Sequence, residues 1–535
     1  MSAEETLLQV RRDKHQELNG GTYPLATNDV VWSIASVLSD IDFLKNGGGD
    51  YPLSIPVTID LAEAKGNGTR VLHGRVSALR KSGGLTFIKL TDSSGSMQLV
   101  AARNNFPTDY DRFRLLDLGD IVEVTGEQVI TKTGERSLLL SSWKVLTKSH
   151  RAPPEKFNGI NDQELKYRKR YLDLMSNEES RARFVIRSTI VKGIREYMDG
   201  HNFMEVETST LSSIASGANA KPFSTHHNAL DIDLRLRIAP ELNLKRLLVG
   251  GFDRVFEIGR AYRNEGIDTR HNPEFTIMES YQAYGNFPEL ITFTKSLLHH
   301  VINYCNFHLP GWAHTHFQQW RNTRGNTFTQ FAEVTMRQAI SNAEEKLGVC
   351  LTHGGVLEDV DPTGNHPRRS SIDWNALRAE LKDATSGQQL AVMFEYVVEP
   401  FLTEDYRTED GKWSLPVFIT EYPKDISPLA RDNDKNPGFF PRFVDRFELF
   451  VDGRELANAF QELNDPDEQA LRFREQQANN NRDPMDYDAD YVEALEYGMP
   501  PAFGFGMGID RLVMLLTNAA SIKDVILFPT LRPEK

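Results

Sequence analysis

Cysteine is almost missing from this chain: Cys305 and Cys350 are the only two in 535 residues. Two thiols that far apart in sequence build neither a disulfide framework nor a zinc site, so a reducing, cytoplasmic setting is expected. Long apolar runs are missing too. Leu512-Val513-Met514-Leu515-Leu516 is typical of the longest, far short of the roughly 20 residues that cross a bilayer, and no membrane partner is expected. The start carries Glu4 and Glu5 and no continuous apolar core, so it reads as neither a secretory nor a transit peptide. There is also no basic excess. A formal net charge of −14 argues against wholesale coating of nucleic acid. It leaves room for a local basic surface, for which Lys166-Tyr167-Arg168-Lys169-Arg170-Tyr171 is a candidate, although such runs are more often solvated faces. Internal repeats and low-complexity tracts are absent.

What is present is ample for several cores: the apolar share is 40% and the charged share 25%, ordinary for a globular chain. Residues 1–61 mix helical and loop signals, with Gly47-Gly48-Gly49 as a break. Within 62–150 the texture turns to short strand-like runs: Val71–Val76, Leu85–Leu90, Ser96–Ala101, Asp120–Gly126 and Ser137–Leu146. Turn signals at Ser82-Gly83-Gly84, Asp92–Gly95 and Lys132-Thr133-Gly134 separate the runs. Five such strands predict a small closed β-barrel, of which the OB-fold is the common case. Residues 151–165, opening on Arg151-Ala152-Pro153-Pro154, read as a linker. From 166 to 535 helices and strands mix, the α+β texture of a second, larger domain. There, Phe184–Asp199 puts Ile186, Ile190, Ile194, Tyr197 and Met198 on one helical face, with Gly200 able to end the helix.

Three segments of that domain carry chemistry. In the first, Val255–Gly266 followed by His271-Asn272-Pro273-Glu274-Phe275 and Met278-Glu279-Ser280-Tyr281 reads as strand, loop and returning strand. Alternation puts Arg263 with Glu265, and Phe275 with Glu279 and Tyr281. Such a hairpin offers an arginine to a phosphate and an aromatic to a flat ring. Taken alone, a charged hairpin is more often a solvated sheet face.

The second segment runs Arg446–Glu455 and on through Asn464, with Asp452-Gly453 as a two-residue turn. In that register Phe450 faces Glu455, making Glu448 and Glu455 diagonal neighbours that repel unless a cation sits between them. Nucleotide-bound magnesium takes one or two such carboxylates. A surface hairpin bearing glutamates is an equal reading of this segment alone. Asn458, Phe460 and Glu462 have the opposite parity to Glu455, so a shared pocket requires a bulge near Leu456 or Ala457. The third segment, Gly504-Phe505-Gly506-Met507-Gly508-Ile509-Asp510-Arg511, leads a glycine-rich strand into an amphipathic helix. Glycines let backbone approach a ligand, and Arg511 one turn into the helix favours an anion there. Ile509 stands where a dinucleotide fingerprint needs its third glycine.

In this order the segments resemble motifs 2 and 3 of class II aminoacyl-tRNA synthetases, and Phe203-Met204-Glu205-Val206-Glu207-Thr208 resembles motif 1. Ser216–Phe223, Arg237-Ile238-Ala239-Pro240-Glu241-Leu242, Ser427-Pro428-Leu429-Ala430 and Asn458–Asn464 are similar to the lysyl-tRNA synthetases of that class. The resemblance runs from about Arg70 to the carboxyl end. One departure is Ser209, where motif 1 normally carries proline.

The resemblance implies a fold, a reaction and a set of roles. The fold is an OB barrel that binds the anticodon, followed by a catalytic domain on an antiparallel sheet with flanking helices, in a homodimer. The reaction activates L-lysine with ATP to lysyl-adenylate and passes the lysine to the 3′-terminal ribose of tRNA(Lys). Glu241, Glu279 and Glu462 become the acids of the lysine site, since an ε-ammonium needs carboxylates in a partly dry pocket. Tyr281 and Asn458 hydrogen-bond there, Gly217 lies near the α-amino end, and Phe460 covers the methylenes. For ATP, Arg263 clamps the α-phosphate and Arg511, beyond Gly508, meets the other phosphates. Glu265, His271 and Asn272 contact nucleotide, Phe275 stacks on adenine, and Glu448 and Glu455 hold Mg2+. In the barrel Phe87 stacks on an unpaired base, Gln98 reads a base edge and Glu135 makes a further contact. Without the family, Phe87 is more often a barrel core residue.

Two other readings differ in class. A lysyl-transferring paralogue acting on a protein resembles the catalytic domain but lacks a barrel, which Arg70–Leu146 argues against. A catalytically inactive, synthetase-like RNA-binding module would have lost Arg263, Arg511 or a paired glutamate, and none is missing.

Overall fold

The computed structural model describes residues 2–19, 23–24, 26, 31–38, 69–131, 134–154, 160–214, 220–324, 328–349, 367–382, 384–434, 441–480 and 487–534. The chain divides into two compact units, 1–177 and 178–535. Gly47-Gly48-Gly49, Lys132-Thr133 and Cys350 lie outside the described residues.

In the first unit the strands Arg70–Ser82, Leu85–Thr91, Ser96–Ala102, Ile121–Ile130 and Arg136–Thr147 pair in the order 1-2-3-5-4. Pairing of the first with the fourth, Arg70 opposite Gly126 to Arg75 opposite Ile121, closes the ring into a barrel. Closure removes exposed edges and encloses Leu72, Val76, Ile88, Leu90, Leu99, Val122, Val124 and Leu138. Strand crowding fixes Gly126, whose added Cβ would fall 2.3 Å from the Leu139 carbonyl oxygen. The helix Ala3–Asn19 is pinned to this unit by buried Arg11, which donates to the carbonyls of Leu118, Ser149 and Arg151. The basic run 166–171 is partly neutralised close by in sequence. Tyr167 and Arg170 are buried, Arg170 is paired with Asp173 at 2.9 Å, and Arg168 is paired with Glu164.

The second unit is built on eight strands in the order Ala332–Thr335, Val417–Pro423, Phe443–Val451, Arg454–Gln461, Ala502–Gly508, Glu274–Ala283, Arg254–Tyr262 and Met204–Glu205. The six central strands are antiparallel, as expected, but the strand at each edge runs parallel to its neighbour. Both edge strands are reached by long connections, which allow either direction.

One face of this sheet is the core. Phe256, Met278, Phe447, Leu449, Ala457, Ala459, Phe503, Phe505 and Met507 point into it. Residues of the helices Glu178–Gly200, Phe287–His308, Gly311–Arg324 and Ile509–Leu516 complete the cluster. The long helix starts six residues earlier than its apolar periodicity suggests, and it buries the expected Ile186, Ile190, Ile194, Tyr197 and Met198. A further helical cluster centred on Ile340, Leu377 and Phe394 covers the far edge, around Val417, Ile419 and Phe450.

Candidate active site

With one face of the sheet apolar and covered, alternation sends the intervening residues to the other face. These are Glu279 and Tyr281 on one strand, Glu448 on another, Asn458 and Phe460 on a third, and Gly504, Gly506 and Gly508 on a fourth. Three glycines on one face leave hollow floor. The result is a cleft of about 1190 Å³ lined by these eight residues, together with Glu241, Arg263, Glu265, His271, Asn272, Phe275, Arg446, Glu455 and Arg511.

Glu455 joins this group only through a fault in the ladder. Phe450 pairs with Glu455 but Leu449 pairs with Ala457, so Leu456 is the extra residue of a β-bulge, at one of the two positions the parity argument named. Leu456 and Ala457 both face the core. Glu455 and Asn458 therefore reach the same cleft. The turn beside it has Asp452 and Gly453 both at positive φ, 50° and 65°, as a tight hairpin requires.

The acidic end of the cleft is built from three elements. Glu241 opens the helix Glu241–Val249, Glu279 and Tyr281 come from the strand Glu274–Ala283, and Glu462 directly follows the strand Arg454–Gln461. All four are buried, Glu462 completely. The Tyr281 hydroxyl donates to Glu279 at 3.0 Å. Burial, reinforced by the charge of Glu241, pushes the Glu279 carboxyl up to about 8. Burial raises Glu462 as well, and Glu241 and Glu279 add to the rise against the pull of Lys245. Both Glu462 carboxylate oxygens are buried without a hydrogen bond, although the Lys245 ammonium makes an ion-pair contact with one of them. Gly504 is obligatory beside them, since its Cβ would fall 2.0 Å from Glu462 Oε1 and 2.6 Å from Tyr281 Cε1.

Elsewhere in the cleft the chemistry is cationic and aromatic. The Arg263 guanidinium lies 5.2 Å from the centre of the Phe275 ring, and its Nε is buried without a partner. Asn272 spends its amide nitrogen on the Glu274 carbonyl at 2.6 Å, leaving a buried, unpartnered Oδ1. His271 Nδ1 lies 2.8 Å from Asp268, a hydrogen bond that holds that carboxyl down at about 2. Glu265 is exposed at the rim. Gly508 caps the helix Ile509–Leu516, and Arg511 donates to the Glu455 carbonyl at 2.8 Å and to its carboxylate at 3.1 Å. Burial lifts Glu448 to about 7, with Arg446 pulling it down and neighbouring Glu455 pushing it up.

The expected site residues thus meet in one cleft, with two exceptions. Glu462 is fully buried and does not line the cleft, and Gly217 is outside the described residues. Four contributors were missed. Lys245 is fully buried and 2.5 Å from Glu241, an i,i+4 pair legible in the helix pattern. Arg446 shares the parity of Glu448 and links it, at 2.6 Å, to Asn458, at 3.1 Å, and to Ser427, at 2.9 Å. Arg187, from the long helix Glu178–Gly200, donates to Asp510 at 2.6 Å and to Thr276 at 3.0 Å, while Asp510 accepts from the Thr276 amide at 2.7 Å. One arginine therefore ties the long helix to the strand Glu274–Ala283 and to the helix Ile509–Leu516. Gly504 is the fourth, and its need for space has no local sequence signal.

On the barrel, Phe87 is half-buried on the outer face, not in the core. Leu85 and Phe87 pack on a small outer cluster of Val100, Ala102, Val129 and Leu139, with Arg80 5.1 Å from the Phe87 ring. The pairings Phe87–Val100, Lys89–Gln98 and Gln98–Ser137 put Gln98 on that same face. Gln98 donates to Ser137 at 2.9 Å, and Glu135 is exposed two residues upstream.

Comparison with known proteins agrees with this geometry. The family model for class II tRNA synthetases (D, K and N) matches residues 162–532, and that for the OB-fold nucleic acid binding domain matches 71–146. The lysine–tRNA ligase of Legionella pneumophila (strain Corby) is 45% identical over 462 residues, 86% of each chain. The heat-inducible lysine–tRNA ligase of Escherichia coli (strain K12) is 44% identical over 475 residues, again 86% of each. That of Enterobacter sp. (strain 638) is 44% identical over 467 residues, with the same coverage. The chain belongs to the class II tRNA synthetases of the D, K and N group.

Proposed function

We propose that this chain is a lysine–tRNA ligase, activating L-lysine with ATP to lysyl-adenylate and pyrophosphate and then passing the lysine to the 3′-terminal ribose of tRNA(Lys). One observation carries the choice of amino acid: two buried carboxylates, Glu241 and Glu279, line one cleft wall beside Tyr281 and Phe460, and a third, Glu462, is fully buried in ion-pair contact with Lys245. A wall of that sign suits an ammonium-tipped side chain and rejects aspartate, which needs a cation. Phe460 supports the methylenes. Gly217 would lie at the α-amino end.

On the nucleotide side, Arg263 faces the α-phosphate, Phe275 stacks on adenine, and Arg511 neutralises the leaving phosphates. Glu265, His271 and Asn272 frame the nucleotide, and the unpartnered Oδ1 of Asn272 suits an N–H donor. The donor set fits magnesium. Glu448 and Glu455 repel one another, and both are hard oxygen ligands. Glu448 and Glu455 would hold a nucleotide-borne Mg2+, which would supply charge neutralisation at the leaving pyrophosphate. The lysine carboxylate is ionised at neutral pH and needs no general base. Its oxygen attacks the α-phosphorus as the bond to pyrophosphate breaks, and the enzyme contributes positioning and preorganised charge. The tRNA hydroxyl then attacks the acyl carbon and displaces AMP. The outer barrel face with Phe87, Gln98 and Glu135 suits unpaired anticodon bases. We further infer a cytoplasmic homodimer. Among the described residues no helix is long and apolar enough to cross a membrane.

ATP–pyrophosphate exchange run with each amino acid separately tests the assignment. Lysine alone is expected to support exchange. Exchange driven by aspartate or asparagine and not by lysine rejects it.

A further inference from the structure

Lys245 has no place in the reaction just described, yet it sits at the centre of the acid cluster. It is 0% exposed, one turn after Glu241 on the same helix, and its Nζ is 2.5 Å from Glu241 Oε1 and in ion-pair contact with Glu462. The ammonium is also enclosed by the rings of Phe460, Tyr491 and Tyr281, at 5.3, 5.9 and 6.0 Å from their centres. A desolvated ammonium persists only where counter-charges hold it, and removing one partner strands the others.

We infer that Lys245 is a positioning residue, a built-in counter-ion that holds Glu241 and Glu462 in place and sets the charge of the amino-acid pocket to match lysine. The inference rests on the assignment of this pocket to the lysine side chain. Charge counting gives the reason. Glu241, Glu279 and Glu462 bring three negative charges when ionised, and Lys245 returns one. The remaining two equal the two ammonium groups of a bound lysine, whose carboxylate is the reacting group. Without Lys245 the carboxylates face one another uncompensated and retain protons, which weakens an ammonium site. The groups that face the cluster are Glu241 and Arg246 from the same helix, Glu279 and Tyr281 from the adjacent strand, and Glu462 beyond the next. Tyr491 faces it from the helix Ala489–Glu496, and Arg263 acts on Glu279. Removing the single ammonium from this set moves every carboxylate in one direction.

The test compares wild type, K245M and K245R in lysine-dependent pyrophosphate exchange, measuring KM for lysine and for ATP from about pH 6.5 to about pH 9.5. K245M is expected to raise KM for lysine about tenfold at neutral pH and to leave KM for ATP within about twofold. Its deficit relative to wild type shrinks as pH rises and the surplus protons leave. K245R keeps the charge, so its pH profile follows wild type even where affinity falls. An unchanged lysine KM in K245M overturns the proposal. So does a rise that is the same at every pH, which is what mere anchoring of the helix produces. Should K245M fail to fold, K245R decides, and a displaced pH profile there overturns the proposal. E279Q is run alongside: if it leaves lysine KM untouched, the pocket assignment itself fails, whatever Lys245 does.

Discussion

Placing a methyl group on Gly504 tests the acid pocket from below. Gly504 pairs with Tyr281 on one side and Phe460 on the other, and its φ is not in the left-handed region, so alanine is resisted by space alone. The three nearest atoms to its Cβ belong to Glu462 and Tyr281, at 2.0, 2.6 and 3.1 Å, where ordinary contact begins near 3.4 Å. Glu462 must therefore swing by more than an ångström, yet it is fully buried and held against Lys245. G504A removes one charge-assisted contact to the bound ammonium, worth about 1.5–3 kcal/mol. That converts to roughly a 10- to 150-fold rise in KM for lysine. Crowding also costs about 1–3 kcal/mol of stability, readable as a lower Tm. KM for ATP should stay within about twofold, because Arg263, Phe275 and Arg511 are not among the atoms displaced. Pyrophosphate exchange with lysine and ATP varied in turn measures both constants. Unchanged lysine KM and unchanged Tm would refute the reasoning, and a rise confined to ATP would place the substrates the other way round.

Other outcomes follow from the same geometry. Glu279, lifted to about 8, is mostly protonated in the free protein at neutral pH, and a bound ammonium favours its ionised form. Lysine binding thus expels a proton, and KM for lysine should climb as pH falls below about 8, by up to about tenfold per unit. A flat profile between about pH 6 and 8 counts against it. Replacing Arg187 by methionine leaves Asp510 buried without its cation, and should cost about 3–5 kcal/mol by denaturant unfolding. A loss under about 1 kcal/mol means that the Arg187 tie contributes little. Replacing Phe87 by alanine should raise the tRNA constant in aminoacylation about 5- to 100-fold while pyrophosphate exchange is unaltered. Equal effects on both assays contradict an anticodon role for that face.

Much of this was legible because it is local. Alternation along a strand needs no tertiary information, so spacing alone put Glu279 with Tyr281 and Asn458 with Phe460 on shared faces, while the family resemblance supplied the expectation that those faces and Glu448 line the substrate cleft. The parity conflict around Glu455 even called for a bulge near Leu456 or Ala457, and Leu456 is the extra residue. The Glu241–Lys245 pair is equally readable from its i,i+4 spacing, although the spacing does not show that the pair is buried. Other features were beyond reach. Arg187 and Asp510 stand 323 residues apart, and the parallel edge strands are set by long connections. The run 166–171 looked cationic because a sequence shows charge but not pairing. Asp173, three residues after Arg170, neutralises the part that is buried.

The most direct test is a structure with lysine and a non-hydrolysable ATP analogue bound. The lysine ε-nitrogen should lie within about 3.2 Å of carboxylate oxygens of Glu279 or Glu462. Its carboxylate should be turned toward the α-phosphorus beside Arg263. An ε-nitrogen directed to solvent, with those two glutamates in contact only with Lys245 and Tyr281, would contradict the account.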